Sequence, residues 1–426
     1  MGLAAAFCAA PAAAQNVGDN FVVPNLPIEY DRGRNTGVLD RSRPEFDALG
    51  VKLGGFTLFP RVEAAVGYSD NVYQADTNRT GDASFELSPS ARLTSDWSRH
   101  ALTLESGATI KRFLKQTRRN QDGWHVGGTG RYDVGGQITV SASARTERAV
   151  EPPTSASYPT AAAAASQYQT TQVQLNAGYA PGRLRLQGGF TFAALGFDDV
   201  LTFGNGVISQ NNRNSHAMTG TSRIEYALSP DTSVFLQGSY DRVDYARPLA
   251  PGIPNRSSDS YRALAGATFD LSTLLRGSFG LGYIRRAYDA SIYRKIGGLT
   301  AEARVEYFPT PLTTVTLTGR RLIQDASFIN SGGFVNNTVA LRIDHELLRY
   351  VLLDAQVGYE HDSFRGVDAS LDIVRASFGA RYILTRIFGL GASVTHDLRS
   401  PGGSSGTNAG TPYHETRFLL SVVAQR

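Results

Sequence analysis

The sequence is short of several residue types, and these shortages narrow what the protein can be. Its 426 residues include one Cys, two Met and two Trp. No run of 18 apolar residues occurs, so the chain offers no candidate transmembrane helix. The formal net charge is only +4 and basic residues are spread singly, so charge gives no argument for nucleic-acid binding. In contrast, 44 Gly, 19 Tyr and 21 Phe make glycine and aromatic residues abundant.

The first residues have the features of the second half of a secretory signal peptide. Residues 1–14 are apolar and Ala-rich, and they end in an Ala triplet that fits the small-residue cleavage rule, with a mature start near Gln15. The only Cys, Cys8, lies inside this segment, and a mature chain without Cys suits an oxidising envelope compartment. The alternative is a flexible Ala-rich terminus.

Residues 15–55 differ in composition from the rest of the chain. They contain Pro24, Pro27 and Pro44, mix charges of both signs and show no sustained hydrophobic period. This composition predicts an irregular N-terminal extension outside the main fold.

One pattern repeats from Phe56 to the end of the chain. In RVEYFPTPLTTVTLTGRR (304–321), apolar and polar residues alternate on both sides of Pro-Thr-Pro, which predicts two strands joined by a tight turn. The same alternation predicts eighteen strands, at 56–68, 84–95, 100–114, 122–134, 137–149, 168–180, 183–197, 215–228, 232–245, 260–272, 276–288, 298–308, 313–325, 334–346, 350–362, 371–383, 387–398 and 413–425.

The connections between these strands alternate in length. Short links such as GG (135–136) and SPD (229–231) follow even-numbered strands, whereas long links such as TFGNGVISQNNRNS (202–215) follow odd-numbered ones. A bacterial outer-membrane barrel keeps this alternation, with tight periplasmic turns and long outer loops, and a soluble sandwich has no reason to. An even strand number also places both termini in the periplasm.

The two faces of each strand differ in chemistry. In the twelfth strand Leu299, Val305 and Tyr307 share one face, and Glu302 and Arg304 share the other. Lipid outside and water inside would sort residues in this way, whereas a soluble core would not be lined by the apolar faces of eighteen half-polar strands. The sequence therefore predicts an all-β fold: a transmembrane antiparallel up-and-down β-barrel over residues 56–426, in contact with outer-membrane lipid.

Aromatic residues recur near the short turns, on the face predicted to meet lipid. Rings held at one depth are typical of a membrane interface, although strand propensity also enriches Tyr and Phe. The membrane-girdle candidates are Tyr132, Tyr179, Tyr226, Phe269, Tyr307 and Tyr382.

The opposite faces would line an aqueous lumen, since eighteen strands leave room for one unless loops or a terminus plug it. Their charges are balanced, which suits a bulky, hydrated, weakly charged solute rather than an ion-selective pore, although the same pairs could serve only to hold the barrel round. The pore-lining candidates are Arg61, Glu63, Arg92, Glu105, Lys111, Arg131, Arg145, Glu147, Arg223, Glu225, Glu302, Arg304, Glu306, Arg320, Arg342, Asp354, Arg375 and Arg381.

Signals for catalysis or for metal binding are weak. GGSSG (402–406) matches a nucleophile pattern, but it lies in a Gly/Ser-rich loop rather than between a strand and a helix. His361, His396 and His414 fall near one rim and could bind a metal or sense pH, yet polar residues at loop ends are the simpler interpretation. We therefore predict no catalytic residues, no metal and no cofactor.

Three stretches resemble the outer-membrane family called putative beta-barrel porin 2: FDALGVKLGGFTLFPRVEAAVGYSDNVYQ (46–74), LSPSARLTSDWSRHALTLESG (87–107) and VEYFPTPLTTVTLTGRR (305–321). The resemblance runs from about Arg41 to the C-terminus. It implies a barrel that accompanies exopolysaccharide assembly systems and acts as an outer-membrane exit for polymer. It carries no catalytic residues.

The leading hypothesis is a conduit that takes part in exopolysaccharide export. Its expected partners are the barrel-assembly machinery, the polysaccharide and a periplasmic export component, with residues 15–55 either docking that component or plugging the lumen. The alternative is a general diffusion porin for small hydrophilic solutes. An outer-membrane enzyme or adhesin would need a rim site that the sequence does not contain.

Overall fold

The computed structural model describes residues 35–272, 274–328, 331–404 and 410–426, with Phe328 described by its backbone alone. The predicted signal segment (1–14) and the first part of the predicted extension lie outside these ranges. The described residues form a closed β-barrel, because the first long strand pairs antiparallel with the last, from Arg61 opposite Gln425 to Ser69 opposite Arg417.

The wall consists of eighteen antiparallel strands, and each pairs with its neighbours in sequence, so the topology is up-and-down. This confirms the predicted fold class. The strands are β1 (Phe56–Ser69), β2 (Asp82–Ser95), β3 (Ala101–Phe113), β4 (Gln121–Val134), β5 (Ile138–Val150), β6 (Gln167–Tyr179), β7 (Leu184–Phe197), β8 (Ser215–Ala227), β9 (Thr232–Tyr245), β10 (Ser258–Leu271), β11 (Leu275–Tyr288), β12 (Ile296–Thr310), β13 (Thr313–Phe328), β14 (Ser331–Leu348), β15 (Val351–Phe364), β16 (Ser370–Ile383), β17 (Phe388–Gly402) and β18 (Tyr413–Gln425).

Short turns join the strands at one end of the barrel, here called the short-turn end; the other is the long-loop end. Between β4 and β5, Gly135 and Gly136 have φ of 59° and 76°, the left-handed conformation that a two-residue hairpin turn requires. A side chain at either position would strain this turn. The chain enters β1 and leaves β18 at the short-turn end, close to Pro60, whose carbonyl accepts a hydrogen bond from the Arg426 amide.

The structure differs from the sequence prediction in the β13–β14 hairpin. The alternation predicts a long link at 326–333, but β13 runs to Phe328 and β14 starts at Ser331. The physical reason is burial on both faces. Within the hairpin tip, 322–326 and 331–336, nearly every side chain is buried, so continued strand pairing satisfies backbone groups that water does not reach.

The predicted extension is not irregular throughout. Val51–Leu53 form a short strand that pairs antiparallel with Phe56–Leu58 at the edge of the barrel. Gly54, with φ of 63°, makes the tight reversal between them. In the described ranges no helix is both long and apolar enough to cross a membrane.

Burial is inverted relative to a soluble protein. The outward side chains of Leu281 and Leu299 are 65% and 75% exposed, whereas the inward Arg223 is 1% exposed. A continuous apolar surface around the wall matches the lipid-facing band of an outer-membrane barrel. The girdle candidates Tyr132, Tyr179, Tyr226, Tyr307 and Tyr382 are exposed and Phe269 is half-buried, all within a few residues of short turns.

The register of β5 gives a labelling test. Ser141 is half-buried on the lumen side and its neighbour Ala142 is exposed on the outside. In membrane-embedded protein, a cysteine at 141 should react with a membrane-impermeant thiol reagent and a cysteine at 142 should not, since adjacent strand residues face opposite sides. Equal labelling of the two variants would contradict this register.

Candidate functional site: the barrel lumen

The charged residues of the inner wall pair with one another around much of the barrel. Because residues two apart on a strand share a face, ion pairs form within one strand, as in Arg61–Glu63 at 2.7 Å and Arg131–Asp133 at 3.2 Å. Others cross between strands: Arg145 pairs with Glu105 of β3 at 2.5 Å, as well as with Glu147 of its own strand at 2.8 Å.

The remaining pore-lining candidates follow the same rule. Most take part in an ion pair, and the others lie opposite a countercharge or over a ring. These are Arg223–Glu225 at 3.1 Å, Glu302 with Arg262 at 3.3 Å, Arg304–Glu306 at 2.8 Å, Asp354 between Arg342 at 3.7 Å and Arg381 at 3.8 Å, Arg375–Asp397 at 2.5 Å, Arg92 opposite Glu105, Arg320 opposite Glu302, and Lys111 over the Phe113 ring at 5.3 Å. Charge on this wall is therefore compensated locally.

Phe235 lies flat against the inner wall at β10 and β11. Its ring packs beside Gly266 and Gly280. A Cβ at Gly266 would collide with the ring and with the neighbouring backbone, so that position needs glycine, and a Cβ at Gly280 would make a tight contact with the ring. The Arg223 guanidinium stacks on the ring with its carbon 3.6 Å from the centroid. The stack orders this side of the lumen.

The tip of the β13–β14 hairpin lies inside the barrel at the long-loop end. One of its faces packs Ile323 and Val335 against inward residues of β11 and β12, including Ile284. The opposite face packs Ala326 and Phe334 against inward residues of β15 and β16. A hairpin buried on both sides can only cross the interior, so it narrows the lumen.

A long loop, residues 151–166, also folds into this end. Glu151 is fully buried and accepts two hydrogen bonds from Arg213, at 2.5 and 3.0 Å. The loop reaches across to β17, where Arg399 donates to the Ser155 carbonyl at 3.3 Å, and Ala156 packs against the hairpin-tip cluster. The loop and the hairpin together fill much of the long-loop mouth.

The described part of the N-terminal extension lies in the short-turn mouth. Val38 is 1% exposed and packs on Leu352 and Ile383, both on the inner wall. Arg43 is buried and pairs with Glu346 of β14 at 2.7 Å, and Arg41 reaches the same carboxylate at 3.2 Å. Residues 35–47, here called the N-terminal segment, therefore obstruct this mouth.

Contacts of the N-terminal segment extend over several strands. The Asn35 carbonyl accepts a hydrogen bond from Arg276 at 2.8 Å, and Pro44 and Glu45 accept hydrogen bonds from Arg386 through their carbonyls. Burial, together with the nearby carboxylate of Glu306, raises the pKa of Asp40.

Some residues that line or obstruct the lumen were not among those predicted from the sequence. Arg276 and Arg286 are in phase with the inward positions of β11, so the alternation could have revealed them. Glu151, Arg213 and Arg43 lie in links and the extension, where no period marks them. Only their burial and pairing identify them.

The histidines do not form a metal site in the structure. His361 contacts Asp372 at 2.8 Å, and the rings of His396 and His414 lie 6.0 Å apart. Within the described ranges no group of three His, Cys, Asp or Glu side chains is placed to hold a metal. The GGSSG stretch lies partly outside those ranges.

Comparison with known proteins places this barrel in a family. The family model described as putative beta-barrel porin 2 matches residues 43–426. Solved structures similar to the chain include the outer membrane protein OpdK from Pseudomonas aeruginosa, at 13% identity, covering 87% of this chain and 99% of that one, with a TM-score of 0.43. OccAB4 from Acinetobacter baumannii is 10% identical, covering 88% and 99%, with a TM-score of 0.45. The siderophore receptor PirA from Acinetobacter baumannii is 7% identical, covering 87% and 80%, with a TM-score of 0.47.

None of the curated proteins compared with the chain matches it. The family match covers nearly all of the described residues and agrees with the closed barrel, its lipid-facing surface and its charged interior. The chain belongs to the putative beta-barrel porin 2 family and is an outer-membrane β-barrel of the porin type.

Proposed function

We propose that the protein is a gated conduit that takes part in exporting a secreted exopolysaccharide across the outer membrane. The observation that carries this proposal is that both mouths of the barrel are obstructed. The hairpin tip and residues 151–166 narrow one, and the N-terminal segment occupies the other. A channel dedicated to a polymer needs such closures, because an open lumen wide enough for a glycan would also leak small solutes.

The lining supports a weakly charged cargo. Compensated charges give no strong field of either sign along the wall, so the lumen would neither repel nor trap a hydrated glycan chain. The resemblance noted from the sequence points to the same cargo. The proposal includes no catalytic step and no cofactor.

The orientation follows the usual architecture of these barrels. Short turns face the periplasm and long loops face outward, which puts both termini in the periplasm. The N-terminal segment would then close the periplasmic mouth, and the preceding residues would be available to a periplasmic export partner. Barrel-assembly machinery would insert the chain.

The alternative is a general diffusion porin for small hydrophilic solutes, to which the balanced wall is equally suited. The two differ in whether the channel is open at rest.

A paired experiment separates these functions. Polymer secretion is measured in a strain lacking the gene and in the same strain complemented with it, and conductance of the purified protein is measured in planar bilayers. We expect loss of surface polymer, restored by complementation, together with a closed or rarely open pore. Normal secretion with a constitutively open pore would replace the conduit with the diffusion porin.

A further inference from the structure

A cavity lined by both polar and apolar side chains lies beside the hairpin tip at the long-loop end. It is open to solvent, and its lining includes serine, arginine and carboxylate side chains. Residues 155–157 line it together with Tyr245, Arg256 and Asp325. The cavity is thus built by a loop and a hairpin that both fold into the barrel.

Arg256 is a buried cation in the lining of this cavity. It is 3% exposed, and its guanidinium carbon lies 4.0 Å from the centre of the Tyr245 ring. Its Nη2 donates to the Asn212 carbonyl at 3.3 Å, but Nε and Nη1 have no hydrogen-bond partner among the described residues. Two buried donor nitrogens without acceptors are costly, and a bound ligand would satisfy them.

Hydrogen-bond acceptors also line the cavity. Glu360 and Asp362 lie next to each other there, and both accept hydrogen bonds from Asn336, at 2.8 and 2.7 Å. A carboxylate ligand would meet the attraction of Arg256 but also the repulsion of these two groups. A neutral polyol avoids this conflict, because each hydroxyl can accept from Arg256 and donate to a carboxylate.

We propose that this cavity is a binding site for an uncharged sugar unit, with Arg256 as its main hydrogen-bond donor. The proposal deepens the proposed function, on which it rests for the choice of a saccharide. The loop formed by residues 151–166 and the hairpin tip would hold one unit of the glycan at the narrow end of the lumen. Tyr245 orients Arg256 by stacking, and Asp325 in turn accepts a hydrogen bond from the Tyr245 hydroxyl at 2.9 Å.

The test measures direct binding of oligosaccharides to the purified full-length protein. The protein is kept in a detergent without a sugar headgroup, such as an alkyl dimethylamine oxide. The probes are neutral gluco-, galacto- and manno-oligosaccharides and an oligogalacturonate, titrated by calorimetry. We expect at least one neutral probe to bind, and Arg256→Gln to weaken its binding tenfold or more. Arg247→Gln, the same change at an exposed position of the same link, should leave affinity unchanged.

A second variant protects the test against misfolding of Arg256→Gln. Ser157→Phe puts a larger side chain into the cavity from the loop and leaves Arg256 and Tyr245 unchanged, and it should also abolish binding. Absence of binding by every neutral probe, binding of the acidic probe alone, or equal binding by wild type and both variants would each overturn the site. The secretion phenotype of the deletion strain is measured separately from sugar binding. Absence of sugar binding would therefore contradict the site without contradicting the conduit, and normal secretion would contradict the conduit whatever the binding result.

Discussion

Replacing Leu281 with Arg is expected to destabilise the assembled barrel by about 2–4 kcal/mol. Leu281 lies in the middle of β11, its side chain is 65% exposed, and the residues paired with it on β10 and β12 are Ala265 and Ala301. If this surface meets lipid, the guanidinium would sit at the membrane midplane with no polar neighbour. Arg cannot be neutralised there at moderate cost, so folding should suffer.

The measurement is the free energy of unfolding in phospholipid vesicles, read by urea titration. Leu271→Arg is the matched control, because Leu271 points outward at the short-turn end of β10 and should cost only about 0–1 kcal/mol near the interface. A depth-dependent penalty would identify the lipid band. Wild-type stability of Leu281→Arg would contradict the outward placement.

The barrel could be predicted from the sequence because lipid on one side and water on the other impose a two-residue period of polarity on every strand. The twelfth strand illustrates this: the alternation predicts 298–308 and β12 spans Ile296–Thr310. Each of the other predicted strands also overlaps one observed strand. Errors are confined to a few residues at the ends, where pairing rather than side-chain polarity decides where a strand stops.

The segments that fold into the lumen could not be predicted in the same way. The tip of β13–β14 is buried on both faces, so Ile323 and Val335 face protein where the alternation assigns them to lipid. A two-sided environment has no polarity pattern to detect. The ion pair of Glu151 with Arg213 joins two links, and nothing local in either link reveals its partner.

Replacing Glu346 with Ala is expected to release the N-terminal segment from the short-turn mouth. Glu346 is the carboxylate shared by Arg41 and Arg43, and Arg43 is 5% exposed. Removing one member of a buried ion pair costs about 3–5 kcal/mol, because the remaining charge stays desolvated. Undocking relieves that cost, since it returns both guanidinium groups to water.

Two measurements report undocking. Trypsin should cleave after Arg41 much faster in Glu346→Ala than in wild type, and single-channel conductance should rise severalfold as the mouth clears. Glu45→Ala is the matched control: Glu45 pairs with Arg349 at 3.1 Å in the same segment, but both side chains are more than half exposed, so water screens this pair and it holds the segment only weakly. Its loss should change neither readout appreciably.

A rescue variant separates loss of the ion pair from general damage. Adding Arg43→Met to Glu346→Ala removes the stranded buried charge, so the segment should dock again on Val38, which packs on Leu352 and Ile383. Trypsin resistance and low conductance should return together. If Glu346→Ala leaves both unchanged, the pair does not hold the segment; if cleavage rises without conductance, the segment is held by the pair but does not close the channel.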